Sequence, residues 1–328
     1  MRVFVTGATG AIGTFLVPQL VERGHEVVGT TRSAGKAGHL AAQGADVVVL
    51  DVLDRDAVRE AVLSARPDAI VHEATALTGL SDFKHFDRSF AQTNRLRTEG
   101  TDALLAAAAE AGVDRIVAQS YASLLYAREG GPVKKEEDPL DPTPVPAMSE
   151  SLAALRHLEA AVGAVGGIAL RYGSFYGLPD DPQLEVVRKR QFPIVGDGGG
   201  IWSFVHLEDA AAATVLALER GEPGIYNVVD DEPAPVREWL PALAETIGAK
   251  PPHRVPRTIA RLLGGEAGVA LMTQVRGASN AKAKRELGWV LRYPSWRQGF
   301  GAAYGAAEAS TGGSAAGHTS LSLQGSPR

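Results

Sequence analysis

The sequence predicts an α/β protein that is built on an open, doubly wound parallel sheet. A glycine-rich turn joins the first predicted strand to the first predicted helix. Apolar strand-like segments then alternate with segments of helical periodicity as far as residue 229. Because alternating strands and helices cover both faces of a parallel sheet, this order of segments is typical of that architecture.

The first 13 residues, MRVFVTGATGAIG, predict a binding site for a dinucleotide. Residues 3–5 favour a buried strand, and apolar residues recur at helical spacing from Ile12. Between these segments, Gly7 permits a sharp turn, Gly10 lets a pyrophosphate approach the backbone, and Gly13 lets the helix pack close to the sheet. The N–H groups at the start of the helix would then bind the pyrophosphate. A strand before the glycines and a helix after them is the context that such a site requires.

The composition excludes several functional classes. The chain has 328 residues, a hydrophobic content of 45%, a net charge of −5 and no cysteine. We therefore expect no nucleic-acid partner, no disulfide, no thiolate metal site and no cysteine nucleophile, and no motif marks another metal site. The first predicted strand begins at Arg2, and no apolar run approaches the roughly 18 residues that span a membrane. A cytoplasmic protein without a membrane partner is the expectation.

The second and third predicted strands, residues 25–33 and 45–52, end at candidate adenosine contacts. After the second strand of such a sheet, an acidic residue favours NAD and a cation accommodates the 2′-phosphate of NADP. The second strand ends in the sequence TTRS, which contains no carboxylate, so Arg32 favours NADP. The alternative is that Arg32 is a solvent-exposed arginine with no role in binding. Asp51 ends the third strand where adenine would lie, and it could equally cap the helix that begins around Asp54.

The fourth predicted strand, residues 68–77, ends beside the expected pyrophosphate and reactive ring. Its sequence there is HEAT, and Glu73 is unusual because burying a carboxylate costs free energy unless the group is paired. Glu73 is therefore either a catalytic group or the partner of an arginine.

Hydroxyl groups crowd the end of the fifth predicted strand, residues 115–120. Ser120, Tyr121, Ser123 and Tyr126 all lie in the sequence SYASLLY. Because chemistry in an open α/β sheet takes place at the carboxyl ends of the strands, these hydroxyls are catalytic candidates.

The remaining segments predict the outer elements of the fold. We expect a helix over residues 93–112, a second that begins at Ser149 as its N-cap, and a third that begins at Asp209. Strands are expected over residues 166–173 and 224–229. Residues 183–202 should be irregular, and residues 230–300 should contain one or two helices. The final residues, 305–328, have no periodicity and predict a disordered tail.

Several ordered motifs make the chain resemble the extended short-chain dehydrogenase/reductases, also described as the NAD-dependent epimerase/dehydratase family. The motifs are TGATGAIG, VHEATA, LRYGSFYG, GDGGGIWSFVHLEDAAAA, GIYNVVDDEP and a late LGW, together with Asp51. The resemblance covers residues 1–300. It implies NADP or NAD as cofactor and a small-molecule substrate. A possible homodimer would pair the helices that start at Thr93 and Ser149.

The same resemblance implies two domains. Residues 1–176, with 201–229 returning to them, would form a Rossmann domain that holds the cofactor. Residues 177–200 and 230–304 would form a small C-terminal α/β substrate domain.

The candidate site combines the predicted strand ends with the positions that the resemblance implies. The candidate cofactor contacts are Gly7, Thr9, Gly10, Ala11, Ile12, Gly13, Arg32, Asp51, Val52, His72, Ala74 and Tyr172. The candidate catalytic residues are Tyr121, Ser120, Ser123 and Glu73.

The two residues that normally carry proton transfer in this family are absent. The family has a Tyr, and a Lys four residues later, on the helix that follows the acidic loop. Alignment on Glu159 puts Ser151 and Leu155 at these positions, and alignment from the loop puts Met148 and Leu152 there. The family's asparagine before the fifth strand is also displaced, because counting back from Gly100 gives Arg97, with Asn94 one turn earlier.

A hydride transfer would therefore need another proton donor. The candidates are Tyr121, which is the first choice, then Tyr126, Glu73, Tyr172 and Tyr176. Tyr121 could instead be a packing residue. Arg171 and His206 could bind an anionic substrate or be structural.

Three functions remain open on the sequence alone. The favoured one is an oxidoreductase for a small carbonyl or alcohol with a non-standard proton donor, because hydride chemistry is the commonest use of such a site. The alternatives are an enzyme with non-redox net chemistry, such as an epimerase, dehydratase or cyclase, and a cofactor-sensing protein without catalysis.

Overall fold

The computed structural model describes residues 1–77 and 82–305. The strands in chain order are β1 (Arg2–Thr6), β2 (Glu26–Thr31), β3 (Asp46–Val49), β4 (Ala69–His72), β5 (Arg115–Tyr121), β6 (Val133–Lys134), β7 (Ile168–Tyr172), β8 (Ser174–Tyr176), β9 (Ile194–Val195), β10 (Ile201–Trp202), β11 (Phe204–His206), β12 (Gly224–Val228), β13 (Ala234–Pro235), β14 (Arg254–Val255) and β15 (Gly277–Ala278). The helices are α1 (Gly13–Glu22), α2 (Ala37–Ala42), α3 (Arg55–Ala65), α4 (Phe86–Arg95), α5 (Thr101–Ala111), α6 (Ala122–Leu125), α7 (Ser149–Ala164), α8 (Pro182–Arg188), α9 (Leu207–Arg220), α10 (Val236–Thr246), α11 (Arg257–Thr273), α12 (Ala281–Leu287) and α13 (Trp296–Tyr304).

A parallel seven-stranded sheet forms the centre of the molecule. Its strand order is β12-β7-β5-β4-β1-β2-β3, and every pairing in it is parallel. The chain leaves β1 towards β2 and β3, then returns to place β4 on the other side of β1. Ligands of open α/β sheets bind at the carboxyl ends of the strands where the order reverses in this way. The predicted Rossmann fold is confirmed, and its crevice lies at the ends of β1 and β4.

Apolar side chains cover both faces of this sheet. On one face, α1 and α9 pack together and contribute Leu16, Leu20 and the alanine-rich stretch of α9. On the other face, α3, α5 and α7 contribute Val58, Leu104 and Leu158. These layers hold the strand ends at fixed positions, which is what a site at their carboxyl edge requires.

A second apolar cluster lies in the C-terminal part of the chain. It is rich in aromatic residues, among them Tyr176, Trp239, Trp296 and Phe300. It is built mainly from α8, α10, α11 and α13 and the short strands near them. Four helices begin between residues 230 and 300, so the expectation of one or two helices there was wrong.

The stretch over residues 183–202 is also more regular than predicted. It contains most of α8 and the short strands β9 and β10. The helix has only 7 residues, and it begins with Asp181 as a cap that accepts from the Gln183 N–H and with Pro182 at its first position. A helix of two turns is too short to show a clear apolar period in sequence.

The helix predicted over residues 93–112 begins earlier and is interrupted. It starts as α4 at Phe86, passes through a π-helical turn at Leu96–Gly100, and continues as α5 to the left-handed Gly112. Turns of this type are rare and occur often at functional sites.

Helix α7 begins at Ser149 as predicted, but Ser149 is not its cap. The carboxylate of Asp87 accepts hydrogen bonds from the backbone N–H groups of Glu150 (3.0 Å) and Ser151 (2.9 Å). The Ser149 hydroxyl donates instead to the Pro146 carbonyl oxygen at 2.8 Å. The cap thus comes from α4, a tertiary contact that local sequence does not reveal.

No helix among the described residues combines the length and apolar character that a membrane crossing requires. The predicted disordered tail, residues 305–328, lies outside the described residues except for Gly305, and residues 78–81 lie outside them as well.

Candidate cofactor and active site

The glycine loop follows β1 directly, and two of its glycines are required by close contacts. Gly7 has φ +74°, and an added Cβ would lie 2.6 Å from the carbonyl carbon and oxygen of Glu73. A Cβ on Gly13 would lie 2.3 Å from the carbonyl oxygen of Ala8. Gly10 is exposed, and its nearest obstacle would be the Gly7 oxygen at 3.1 Å. Gly10 is therefore the loop position that is open to a ligand.

Other residues of the glycine loop attach the turn to the hydrophobic core and to the end of β2. Ile12 is buried in the core, and Ala11 packs against the same cluster. The hydroxyl oxygens of Thr9 and Thr31 lie 3.2 Å apart, which joins the loop to the end of β2. The loop and the adenosine-side strand end are thus one continuous surface.

The candidate adenosine contacts lie on the same side of the crevice. Arg32 follows β2 and is exposed, and Asp51 is exposed after β3. The Asp51 carboxylate accepts from the Leu53 N–H at 3.0 Å, whereas Asp54 caps α3 by accepting from Ala57. The suggestion that Asp51 caps this helix is therefore wrong, and its exposed carboxylate remains beside the crevice. The neighbouring Val52 is buried in the core.

His72 lies at the end of β4 but is not open to the crevice. It is buried, with Nδ1 at 2.8 Å from the Thr6 hydroxyl and Nε2 at 3.3 Å from the Leu96 carbonyl oxygen. Burial, reinforced by the charge of Arg97, lowers the pKa of His72 to about 4, so the ring is neutral. His72 ties β1, β4 and the π-helical turn together. Ala74, two residues later, is partly buried against the core.

Glu73 is buried beneath the glycine loop and is not paired with an arginine. Its Oε1 accepts from the Tyr172 hydroxyl at 3.0 Å. The Gln119 side-chain amide has hydrogen-bond partners for both its oxygen and its nitrogen in only one orientation. In that orientation the Gln119 nitrogen donates to Glu73 Oε2 at 3.2 Å. Burial raises the pKa of Glu73 to about 8. The carboxyl group is therefore mostly neutral at pH 7.

Tyr172 is buried rather than exposed to the crevice. Its hydroxyl also lies 2.6 Å from the Thr214 hydroxyl, and burial raises the pKa of Tyr172 well above its usual value. Tyr176 is buried too, and burial raises its pKa as well. Neither phenol is accessible as a proton donor in this structure.

Ser120 belongs to a buried ion-pair network. Its hydroxyl donates to Glu159 Oε1 at 2.6 Å, and the two Glu159 oxygens also accept from Nε and Nη2 of Arg171, each at 2.7 Å. Arg171 Nη1 donates to the Tyr126 hydroxyl at 2.9 Å, and burial raises the pKa of Tyr126 to about 12. Of the two roles considered for Arg171, the structure thus supports the structural one.

His206 is structural as well. Its Nδ1 accepts from the Glu208 N–H at the start of α9, and its ring lies 4.1 Å from the ring of Tyr293. These contacts fix the orientation of the imidazole ring at the start of α9.

Tyr121, at the end of β5, is the candidate tyrosine that stays partly exposed. Its hydroxyl lies 3.0 Å from the Ser174 hydroxyl. Its ring packs on an apolar cluster together with Phe83 and Trp202, both of them partly buried. The cluster itself combines aromatic side chains, Phe86 and Phe90, with aliphatic ones. Ser123 lies in the following helix, α6.

The positions aligned with the missing Tyr and Lys are filled by buried side chains. Ser151 is fully buried, donates to Asp87 Oδ1 at 2.7 Å and accepts from the Asn94 amide at 3.1 Å. Leu155 is fully buried in an apolar cluster, as is Leu152 nearby. Neither alignment therefore supplies an acid or a base.

Arg97 is a member of the site that sequence reasoning missed. It lies on the π-helical turn, is 4% exposed, and burial lowers its pKa to about 10. Its Nε and Nη1 are buried with no hydrogen-bond partner among the described residues. Charge interactions link it to His72 and Tyr121. The available signal was its place three residues before Gly100, the position at which the resemblance leads one to expect an asparagine.

No group of three potential metal-ligating side chains occurs within residues 1–77 and 82–305.

Comparison with known proteins agrees with this architecture. A Streptomyces protein named 3-diazoavenalumate denitrifying reductase is 43% identical over 309 residues, 92% of this chain and 99% of the relative. A 2-alkyl-3-oxoalkanoate reductase of Stenotrophomonas maltophilia is 31% identical over 265 residues, 76% of each chain. A UDP-glucose 4-epimerase of Thermus thermophilus, crystallised with NAD, is 27% identical with a TM-score of 0.71 and covers 93% of this chain and 98% of that one.

The family model described as the NAD dependent epimerase/dehydratase family matches residues 3–228. These residues include the glycine loop, all seven strands of the central sheet and the crevice at their carboxyl ends. The chain therefore belongs to the NAD dependent epimerase/dehydratase family, whose enzymes depend on NAD or NADP.

Proposed function

We propose that this protein is an NAD(P)H-dependent reductase whose acceptor is a small aromatic diazo compound. When bound, the reduced nicotinamide supplies a hydride. The observation that carries the proposal is the absence of the family's proton-transfer pair: Ser151 and Leu155, at the aligned positions, are both fully buried. A reaction in which hydride addition creates no alkoxide does not need that pair.

Reduction of a diazonium group has this property. The hydride bonds to the terminal nitrogen of Ar–N₂⁺ and gives a neutral aryldiazene, Ar–N=NH. The aryldiazene loses N₂, and its hydrogen ends on the ring carbon, so the products are Ar–H, N₂ and the oxidised cofactor. The positive charge of the acceptor is neutralised in the hydride step, and no oxyanion has to be protonated.

The similarity to the Streptomyces relative supports this acceptor. Its name specifies a diazo substrate and a reductive loss of nitrogen, and the two chains match over almost their whole lengths. Tyr121, Phe83 and Trp202 are partly buried against one apolar cluster, and aromatic side chains of this kind favour a planar aromatic ligand. We propose that residues 177–200 and 230–304 provide the rest of the substrate site.

We further propose that NADP(H) is the preferred cofactor. Arg32 is exposed at the end of β2, beside the loop that Thr9 and Thr31 join to this strand. No carboxylate follows that strand end in the sequence TTRS, so nothing there repels a 2′-phosphate.

Incubation with NADPH and 4-carboxybenzenediazonium tests the proposal. We expect enzyme-dependent formation of benzoate and N₂, measured by chromatography and gas analysis. Reactions without protein and with Gly10→Ala protein control for chemical reduction by NADPH. Loss of NADPH without N₂, or N₂ release without NADPH consumption, would contradict the proposal.

Carbonyl reduction with Tyr121 as proton donor is the second candidate. The Stenotrophomonas relative is named for an oxoalkanoate substrate. The Tyr121 hydroxyl lies at the end of β5 and is not fully buried, as a donor requires. Oxidation of NADPH by 3-oxoalkanoates, lost in Tyr121→Phe, would favour this function over diazo reduction.

A further inference from the structure

Arg97 carries a charge whose burial the unliganded protein does not offset. The side chain is 4% exposed, and its Nε and Nη1 have no hydrogen-bond partner in the described residues. Buried charged groups in proteins are normally paired, because an unpaired one loses its hydration without compensation. A buried arginine without hydrogen-bond partners can bind an anionic group that a ligand supplies.

Arg171 shows what a structural arginine looks like in the same protein. It is also buried, yet it makes two hydrogen bonds with Glu159 and a third with the Tyr126 hydroxyl. These contacts outweigh the effect of burial, so the pKa of Arg171 is raised. By contrast, burial lowers the pKa of Arg97 to about 10.

The backbone holds Arg97 at the edge of the cofactor crevice. It lies on the π-helical turn at Leu96–Gly100, and the Leu96 carbonyl oxygen is 3.3 Å from His72 Nε2 at the end of β4. Its charge acts on His72 and interacts with Tyr121 at the end of β5. Arg97 thus lies beside the ends of two neighbouring strands, which border the crevice.

We propose that Arg97 is an anion-binding residue that receives an oxyanion of the bound ligand. The oxyanion is either a carboxylate of the aromatic acceptor or a phosphate of the dinucleotide. A guanidinium group presents several N–H donors in a planar fork that matches either group. The carboxylate alternative rests on the proposed function and narrows its substrate class to aromatic acids.

The first test is the stability of the unliganded protein. Replacing Arg97 with Met removes a buried unpaired charge while keeping an unbranched apolar side chain. We expect the melting temperature of Arg97→Met to rise by roughly 2 °C or more, whereas Arg171→Met should melt at a lower temperature because Glu159 loses its partner. A fall for Arg97→Met comparable to that for Arg171→Met would assign Arg97 a structural role and overturn the proposal.

The second test measures binding directly, by calorimetry and NADPH fluorescence. The probes are NADPH, NADH, 4-hydroxycinnamate and the methyl ester of 4-hydroxycinnamate. Arg95→Met is the matched control, because Arg95 is two residues away but exposed and paired with Glu99. A phosphate role predicts at least tenfold weaker binding of both NADPH and NADH to Arg97→Met. A carboxylate role predicts unchanged dinucleotide binding and loss of the wild-type preference for the acid over its ester.

If Arg97→Met binds every probe as the wild type does, the inference is wrong. These measurements need no turnover, so a failure to reduce diazo compounds would not affect them. Equally, loss of anion binding in Arg97→Met would support the inference even if the acceptor proved to be a ketone.

Discussion

The hydroxyl of Tyr172 lies 3.0 Å from Oε1 of Glu73, beneath the glycine loop. An ionised Glu73 can only accept from this hydroxyl. The Tyr172 hydroxyl donates to this oxygen, and Thr214, whose hydroxyl lies 2.6 Å from that of Tyr172, donates to the Ala210 carbonyl oxygen. The hydrogen bond from Tyr172 favours the ionised carboxylate, but burial of Glu73 has the larger effect and raises its pKa to about 8.

Glu73 should make the protein less stable as pH rises. Its pKa is about 8 in the folded protein and 4.5 ordinarily, so between these values the folded state keeps a proton that the unfolded state has released. Raising the pH through this window therefore favours unfolding, by up to about 1.4 kcal/mol per pH unit. We expect Glu73→Gln to lack this contribution, since its amide is neutral and Gln119 can rotate to match it.

Urea unfolding of the wild type and of Glu73→Gln at pH 5.5, 6.5 and 7.5 checks this expectation. Using the difference between the two proteins removes the contribution of other groups, including Asp230, whose pKa burial also raises to about 8. Parallel pH dependences for the two proteins would show that Glu73 is ionised when folded.

Replacement of Gly10 by Ala should weaken cofactor binding without unfolding the protein. An added Cβ would meet only the Gly7 carbonyl oxygen, at 3.1 Å, but would occupy the space into which a pyrophosphate must come. We expect the NADPH dissociation constant to rise at least tenfold and the free energy of unfolding to change by less than about 1 kcal/mol. Gly38→Ala is the matched control, because an added Cβ there meets nothing within 4 Å.

Reversal of the charge at Arg32 should change cofactor preference. Arg32→Glu places a carboxylate where a 2′-phosphate would lie, so NADPH binding should weaken at least tenfold while NADH binding is retained. Arg23→Glu, a charge reversal between α1 and the start of β2 and therefore at the other end of that strand, should leave both affinities unchanged. Equal losses for NADPH and NADH in Arg32→Glu would assign Arg32 a structural role.

Tyr121→Phe separates the two candidate reactions. The phenylalanine keeps the aromatic ring but removes the hydroxyl, so diazo reduction should keep its rate within about threefold. Carbonyl reduction would fall by about 10²-fold or more, since a positioned proton donor contributes at least that much. Initial rates with 4-carboxybenzenediazonium and a 3-oxoalkanoate, in parallel with Ser174→Ala, measure this difference.

The sheet could be predicted from sequence because each of its strands is an apolar run at a regular interval. The glycine loop was also predictable, since Gly7 and Gly13 are required by local backbone contacts that recur with the strand-turn-helix pattern. The exposed positions of Arg32 and Asp51 follow from the same order of strands.

The partners inside the site could not be predicted, because they join residues far apart in the chain. Glu73 meets Tyr172, 99 residues later, and Ser120 meets Glu159, 39 residues later. The orientation of Arg97 depends on a π-helical turn, which no periodic pattern in the sequence predicts. The sequence identified which polar residues lie at the strand ends, but not which of them already have hydrogen-bond partners within the protein.

The stoichiometry of the reaction tests the central claim most directly. With 4-carboxybenzenediazonium and limiting NADPH, gas analysis and absorbance at 340 nm would follow N₂ and NADPH in the same reaction. The account predicts one N₂ released and one benzoate formed for each NADPH consumed, with no release from Gly10→Ala above the protein-free rate. Formation of 4-hydroxybenzoate with N₂ and no NADPH consumption would mean that water displaces the nitrogen, and this would contradict a hydride transfer.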